Sequence, residues 1–177
     1  MSTRLSRRHL LHSGLVAAVT LAAAPAAAAP ETRRLRFLHT HTGESLAVAY
    51  FQAGSYDAAG LEQVAHLLRD HRSGDVHPID PALLDLLHEL QALTGRDDAF
   101  QVISGYRSPQ TNRMLNARSS GVATRSLHMD GKAIDVRMAG VPTKKLHELA
   151  MSLKRGGVGY YAASDFVHVD TGRVRYW

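Results

Sequence analysis

Ser126-Leu127-His128-Met129-Asp130-Gly131-Lys132-Ala133-Ile134-Asp135 sets an imidazole and a carboxylate seven positions apart, with a glycine between them. Beyond Gly131, Ala133-Ile134-Asp135-Val136-Arg137 alternates and predicts a short strand. His128 then sits in the loop leading in, and Asp135 on the strand. Further on, Phe166-Val167-His168-Val169-Asp170 shows the same alternation, with His168 and Asp170 on one face. Two histidines and a carboxylate, in a chain without cysteine, suit a catalytic zinc held by three protein ligands. The competing reading makes His128 and His168 core histidines satisfied by hydrogen bonds.

The flanking segments place this stretch. Phe100-Gln101-Val102-Ile103 reads as a strand running into the turn Ser104-Gly105-Tyr106-Arg107-Ser108-Pro109. A helix over 110–118 follows, capped from Ser108. Arg107, at the end of a buried strand, is placed to point into a cleft, where its rigid fork matches a carboxylate; the alternative is a structural salt bridge. Asn116 to Ala123 reads as a loop returning to the histidine stretch. A helix is expected from Pro142 to Lys154, with His147 on its exposed side. Gly156-Gly157-Val158-Gly159-Tyr160 reads as a bend into a strand. It lacks the lysine and hydroxyl residue of a phosphate loop.

The front half reads as scaffold. Leu35 to His41 and Ser45 to Tyr50 predict a hairpin about Thr42-Gly43-Glu44, with His39 and His41 on one strand face. Apolar residues at 61, 64, 65, 67 and 68 predict one amphipathic helix. Asp80-Pro81 opens another, lined by Leu83, Leu84, Leu86, Leu87, Leu90 and Leu93 and ended by Gly95. Histidines 66, 71, 77 and 88 read as surface or helix-face residues.

Residues 1–29 have a basic start (Arg4, Arg7, Arg8), an apolar run from Leu15 to Leu21, and small residues ending in Ala27-Ala28-Ala29. This is the pattern of an export signal, with cleavage expected after Ala29. Its Arg7-Arg8 pair points to the twin-arginine (Tat) route. As a membrane anchor the run falls short of the ~20 residues a spanning helix needs. Without this segment's three arginines the formal net charge drops from +5 to +2. No lysine or arginine cluster interleaves with aromatics, so nucleic acid is excluded as a partner. The remainder, 30–177, is long enough for one domain with a core but has no cysteine for disulfides.

Ser-x-His-x6-Asp followed by a distant strand histidine resembles the LAS zinc peptidases. That superfamily holds D-Ala-D-Ala carboxypeptidases and dipeptidases, phage L,D-endopeptidases and the hedgehog zinc domain. The blocks Ser104 to Pro109 with Thr111-Asn112, Ser126 to Asp135, Gly157 to Tyr161, and Phe166 to Gly172 occur in the order of its murein endopeptidase K group. The terminal Val174-Arg175-Tyr176-Trp177 fits as well, and the likeness runs from about residue 34 to the end. Family members commonly carry proline where this chain has Ala162.

The resemblance implies one α+β domain of the hedgehog or D-Ala-D-Ala peptidase type. It would have a small antiparallel sheet, helices on one side, and the site in a cleft at the sheet. It implies one zinc ion (Zn2+) per chain on His128, Asp135 and His168, with Arg107 and Ser126 toward substrate; Tyr106, adjacent to Arg107, reads as lining the same pocket. Two carboxylates compete as catalytic general base. Asp165 stands three before His168 and Asp170 two after it; the alternative role for Asp170 is to orient His168. The implied substrate is peptidoglycan, cut at diaminopimelate-containing cross-links by a periplasmic enzyme, with a monomer expected. The sequence leaves open which cross-link is cut and whether an adaptor protein is involved. A carboxypeptidase acting on D-Ala-D-Ala, and a non-catalytic zinc or wall-binding module, are the alternatives.

Overall fold

The computed structural model describes residues 31–119 and 121–177; the expected export segment, 1–29, lies outside the described residues. Strand β1 (Thr32–His39) buries Leu35, Phe37 and His39 while the residues between them are exposed or half-buried. This period of two gives the sheet one apolar face. It runs through β2 (Ser45–Gln52), β3 (Ser55–Tyr56), β4 (Phe100–Ser104), β5 (Ala133–Met138), β6 (Gly157–Tyr161), β7 (Phe166–Asp170) and β8 (Arg175–Tyr176). The eight strands form one sheet in the order β3-β2-β1-β4-β5-β7-β6-β8.

The α+β class is as expected, but the sheet is larger, and two of its pairings, β1 with β4 and β6 with β8, are parallel. The two-residue strands β3 and β8 are too short to show a period in sequence.

Helices α1 (Ala58–Leu67), α2 (Pro81–Thr94) and α4 (Thr143–Ser152) contribute Val64, Leu83, Leu84, Leu87, Leu90, Leu146 and Ala150 to the core. There they meet Phe37, Val102, Ile134, Val136, Val167 and Val169 from the apolar strand face. Helix α1 starts earlier than its apolar period indicates, because Asp57 caps it by accepting from Gly60 N at 2.6 Å. Asp80 and Pro81 open α2, and Gly95 closes it at φ 66°, as expected; Leu93 points out to solvent. Ser108 caps α3 (Pro109–Arg118) by accepting from Thr111 N. No helix among the described residues is long and apolar enough to cross a membrane.

The expected shared face for His39 and His41 does not form. Strand β1 ends at His39, which is fully buried, and the chain turns before His41. The His41 ring stacks on His71 at 4.2 Å instead. His147 is half-buried rather than exposed, its ring stacked 5.3 Å from Tyr160.

Asp70 ties this scaffold to the turn that carries Arg107. Its buried carboxylate accepts from the backbone N–H of Arg72 and of Ser108, each at 2.9 Å. Burial opposes ionisation of Asp70, but hydrogen bonds from the Thr111 side chain and these amides outweigh it and hold the carboxyl below its usual range. A depressed carboxyl stabilises the fold above its unfolded value of about 3.9, and that contribution fades as pH falls below it. Asp70→Ala is therefore expected to lower the unfolding free energy by about 2 kcal/mol at neutral pH. In urea denaturation the gap from wild type should narrow as the pH drops below about 4.

Candidate metal centre

Strands β5 and β7 are antiparallel neighbours in a register that sets Asp135 directly opposite His168. Directly opposed residues share a face, with side chains in reach of each other. Their neighbours Ile134, Val136, Val167 and Val169 fill the core, so Asp135 and His168 project from the other side of the sheet. His128 arrives on a 3-10 turn, Leu127–Asp130, just before β5. Gly131 ends that turn at φ 64°, and a Cβ there would lie 2.1 Å from Pro78 O. Only glycine meets both demands.

Each histidine is oriented from its outer edge. His128 Nδ1 lies 2.7 Å from Gly105 O. A carbonyl only accepts, so Nδ1 carries the proton and Nε2 presents a lone pair inward. His168 Nε2 lies 2.9 Å from Asp170 Oδ2, which leaves Nδ1 facing inward. The inward atoms converge: His168 Nδ1 is 2.9 Å from Asp135 Oδ1 and 3.2 Å from His128 Nε2. His128 Nε2 is 3.3 Å from Asp135 Oδ1. All three residues are buried, and they form the one group of this kind among the described residues that is able to hold a metal ion. Two imidazole nitrogens with outer N–H groups already engaged, plus one carboxylate oxygen, are a donor set that fits zinc.

The charges agree with that fit. Burial pushes His128 down, so it is neutral and its lone pair free. The same burial acts on His168, but hydrogen bonds to Asp135 and Asp170 overcome it and raise this imidazole to about 9. Burial alone would raise Asp135, yet the two imidazoles hold it well below the usual carboxylate range. A cation arriving at His168 Nδ1 displaces a proton there.

The cluster opens into a cleft of about 320 Å³, lined among others by Arg107, Arg125, Ser126, Tyr161, Phe166 and Trp177. Arg107 is buried at its edge, with Nη2 3.2 Å from Ser104 Oγ and 3.4 Å from Asp135 Oδ2. Its two sequence readings, salt bridge and cleft residue, therefore coincide. Ser126 also lines the cleft, and its hydroxyl does not cap the turn that follows. Tyr106 is not among the lining residues. Its backbone N–H donates to Leu68 O, and its side chain lies in the core with its ring stacked 4.7 Å from His77.

Neither candidate general base lines the cleft. Asp165 accepts from the Thr143 hydroxyl and lies 3.4 Å from Arg137 Nη1. Asp170 is fully buried, and its Oδ1 accepts from Gly157 N, Gly172 N and Arg175 Nη1. Its Oδ2 faces His168 and accepts from Arg175 Nη2 at 2.7 Å. Asp170 is thus placed to orient His168.

Sequence reasoning missed how the loop before His128 is fixed. Asn112 Nδ2 donates to Ala123 O and Thr124 O, and Asn116 Nδ2 donates to Val122 O. Two asparagines one helical turn apart on a weakly apolar helix were the available signal.

Comparison with known proteins matches residues 27–177 to the family described as Peptidoglycan L,D-endopeptidase MepK. The chain is 43% identical over 176 residues to Peptidoglycan L,D-endopeptidase MepK of Escherichia coli, covering 97% of each chain. The protein of that name from Shigella flexneri matches equally. Probable peptidoglycan L,D-endopeptidase MepK of Haemophilus influenzae is 46% identical over 149 residues, 84% of this chain and 80% of that one.

Asp170→Asn is expected to weaken metal binding about 10- to 100-fold in competition with a chelator, since the group that orients His168 is altered. Asp165→Asn should leave the affinity unchanged, and His168→Ala should abolish stoichiometric binding.

Proposed function

The chain belongs to the peptidase family described as peptidoglycan L,D-endopeptidase MepK, and from that premise we propose that it is a zinc-dependent murein endopeptidase. Its substrates are peptide cross-links that contain meso-diaminopimelate. The observation that carries the zinc reading is the convergence of His128 Nε2, His168 Nδ1 and Asp135 Oδ1 beneath a cleft. When bound, zinc supplies Lewis acidity, polarising a carbonyl and lowering the pKa of water toward ~7.

The chain's own residues do the rest. Gly105 and Asp170 hold the two imidazoles in the tautomers that ligate, and Arg107 steadies Asp135 from its second oxygen. Arg107 also lines the cleft, where its guanidinium is placed to meet a substrate carboxylate. Arg107, Arg125 and Arg175 line the cleft, and among the described residues Asp135 is the one acidic residue doing so. Such a lining attracts stem peptides, which carry several carboxylates. Asp170 serves as a positioning group, because both its oxygens are occupied by N–H donors.

The relatives' names specify an L,D bond. The D-Ala–diaminopimelate link joins two D centres, whereas the diaminopimelate–diaminopimelate link joins an L to a D centre. The second is the substrate this reading favours. Residues 1–29 act as a twin-arginine signal, cleaved after Ala29, and the enzyme works in the periplasm as a monomer with one zinc per chain. An exported site of action is consistent with a wall substrate.

The test is muropeptide analysis of sacculi treated with the protein, with zinc and with chelator. Zinc-dependent conversion of diaminopimelate-linked dimers to monomers is expected; shortened stems with dimers intact would contradict the endopeptidase reading. Arg107→Ala should lower kcat/KM about 100-fold, the loss of a buried charged hydrogen-bonding group.

A further inference from the structure

Trp177 is the chain's only tryptophan, and 49% of it is exposed. It is nonetheless held firmly. Its N–H donates to Val158 O at 3.2 Å, and its carbonyl accepts from Tyr160 N at 2.9 Å. The indole Nε1 donates to Tyr161 Oη at 3.0 Å, and the Arg175 guanidinium lies 5.0 Å over the ring. The same Arg175 grips Asp170, so the indole is braced from the group that orients His168. The indole and the His168 ring are 5.3 Å apart.

The sheet makes room for this arrangement. Gly159 is the cross-strand neighbour of His168, and a Cβ on it would lie 2.5 Å from the indole Cε2. Beside the indole, Tyr161 and Phe166 stack at 4.6 Å and also line the cleft. An aromatic ring kept rigid yet half open contributes less to folding than a buried one. It offers a ready surface to a ligand at little entropic cost. The lining therefore combines an apolar aromatic wall with Arg107 and Arg125; Arg125 has no ion pair among the described residues. That combination matches a residue with a methylene chain ending in a carboxylate.

We propose that Trp177 is a substrate-binding residue that seats the methylene chain of a diaminopimelate residue beside the metal cluster, with Gly159 left bare to receive the indole. This rests on the murein endopeptidase reading. As the sole tryptophan, Trp177 also reports its own contacts. Titrating the zinc-loaded protein with a purified disaccharide tripeptide, the donor-side product of cutting a diaminopimelate–diaminopimelate link, should shift its emission saturably. The midpoint should match that compound's inhibition constant in the cleavage assay.

Trp177→Leu should raise KM about tenfold while kcat stays within about twofold and zinc content stays at one per chain. Trp177→Phe should keep KM within about threefold of wild type, because a ring is retained. Gly159→Ala should raise KM as Trp177→Leu does. An emission spectrum that stays constant at inhibitory concentrations of tripeptide, in protein that cleaves dimers, would overturn this inference and leave the murein reading standing. Loss of zinc or of kcat in Trp177→Leu and Trp177→Phe alike, with KM unchanged, would also overturn it, making the ring a brace for His168. Wild-type protein that neither cleaves dimers nor shifts its emission would remove both.

Discussion

Two hydrogen bonds on the outer edges of two imidazoles govern this molecule. The Nδ1–H of His128 donates to Gly105 O, and the Nε2 edge of His168 rests on Asp170. With those edges engaged, the remaining nitrogens face each other and Asp135 across about a hydrogen-bond length. Each outer bond then places a demand on the scaffold. Gly105 sits just past the end of β4, where the chain is pinned by Tyr106 N to Leu68 O and by Asp70 to Ser108 N. Asp170 is itself fixed by two backbone amides and by Arg175 from the C-terminal strand. The front half of the chain supplies one support and the last few residues the other.

The sheet resolves a conflict between burial and chemistry. Three ionisable ligands in a low-dielectric setting are unfavourable unless each is paired. Alternation along β5 and β7 separates the two requirements, with valine and isoleucine entering the core while the ligands project oppositely. Helices α2 and α4 pack only against the apolar face, so the ligand face remains open to a cleft. Precision comes from rigid strands and a turn locked by Gly131, with one wall built from a loop pinned by Asn112 and Asn116.

The clustering residues were legible in sequence because the signal is local: His128 and Asp135 flank a glycine, and period-two alternation assigns faces. The caps at Asp80 and Ser108 were legible for the same reason. Contacts set by tertiary approach were not. Tyr106 was grouped with Arg107 through adjacency, yet neighbours in an extended turn point opposite ways, and the pin to Leu68 turns Tyr106 into the core. Asp165 carries an acid-x-x-His spacing, but the left-handed residue at its own position, φ 52°, aims it at Thr143. The role of Asp170 depended on Arg175, Gly157 and Gly172 closing around it, which no window of sequence displays.

On the reading proposed above, His128, Asp135 and His168 form one metal centre whose ligand atoms are selected in advance by the outer hydrogen bonds. Anomalous diffraction at the zinc edge, from crystals of the zinc-loaded protein, tests it most directly. A single peak bonded to His128 Nε2, His168 Nδ1 and an oxygen of Asp135 is expected. A peak on His168 Nε2, or one seated instead at the His39, His41 and His71 rings, would contradict it.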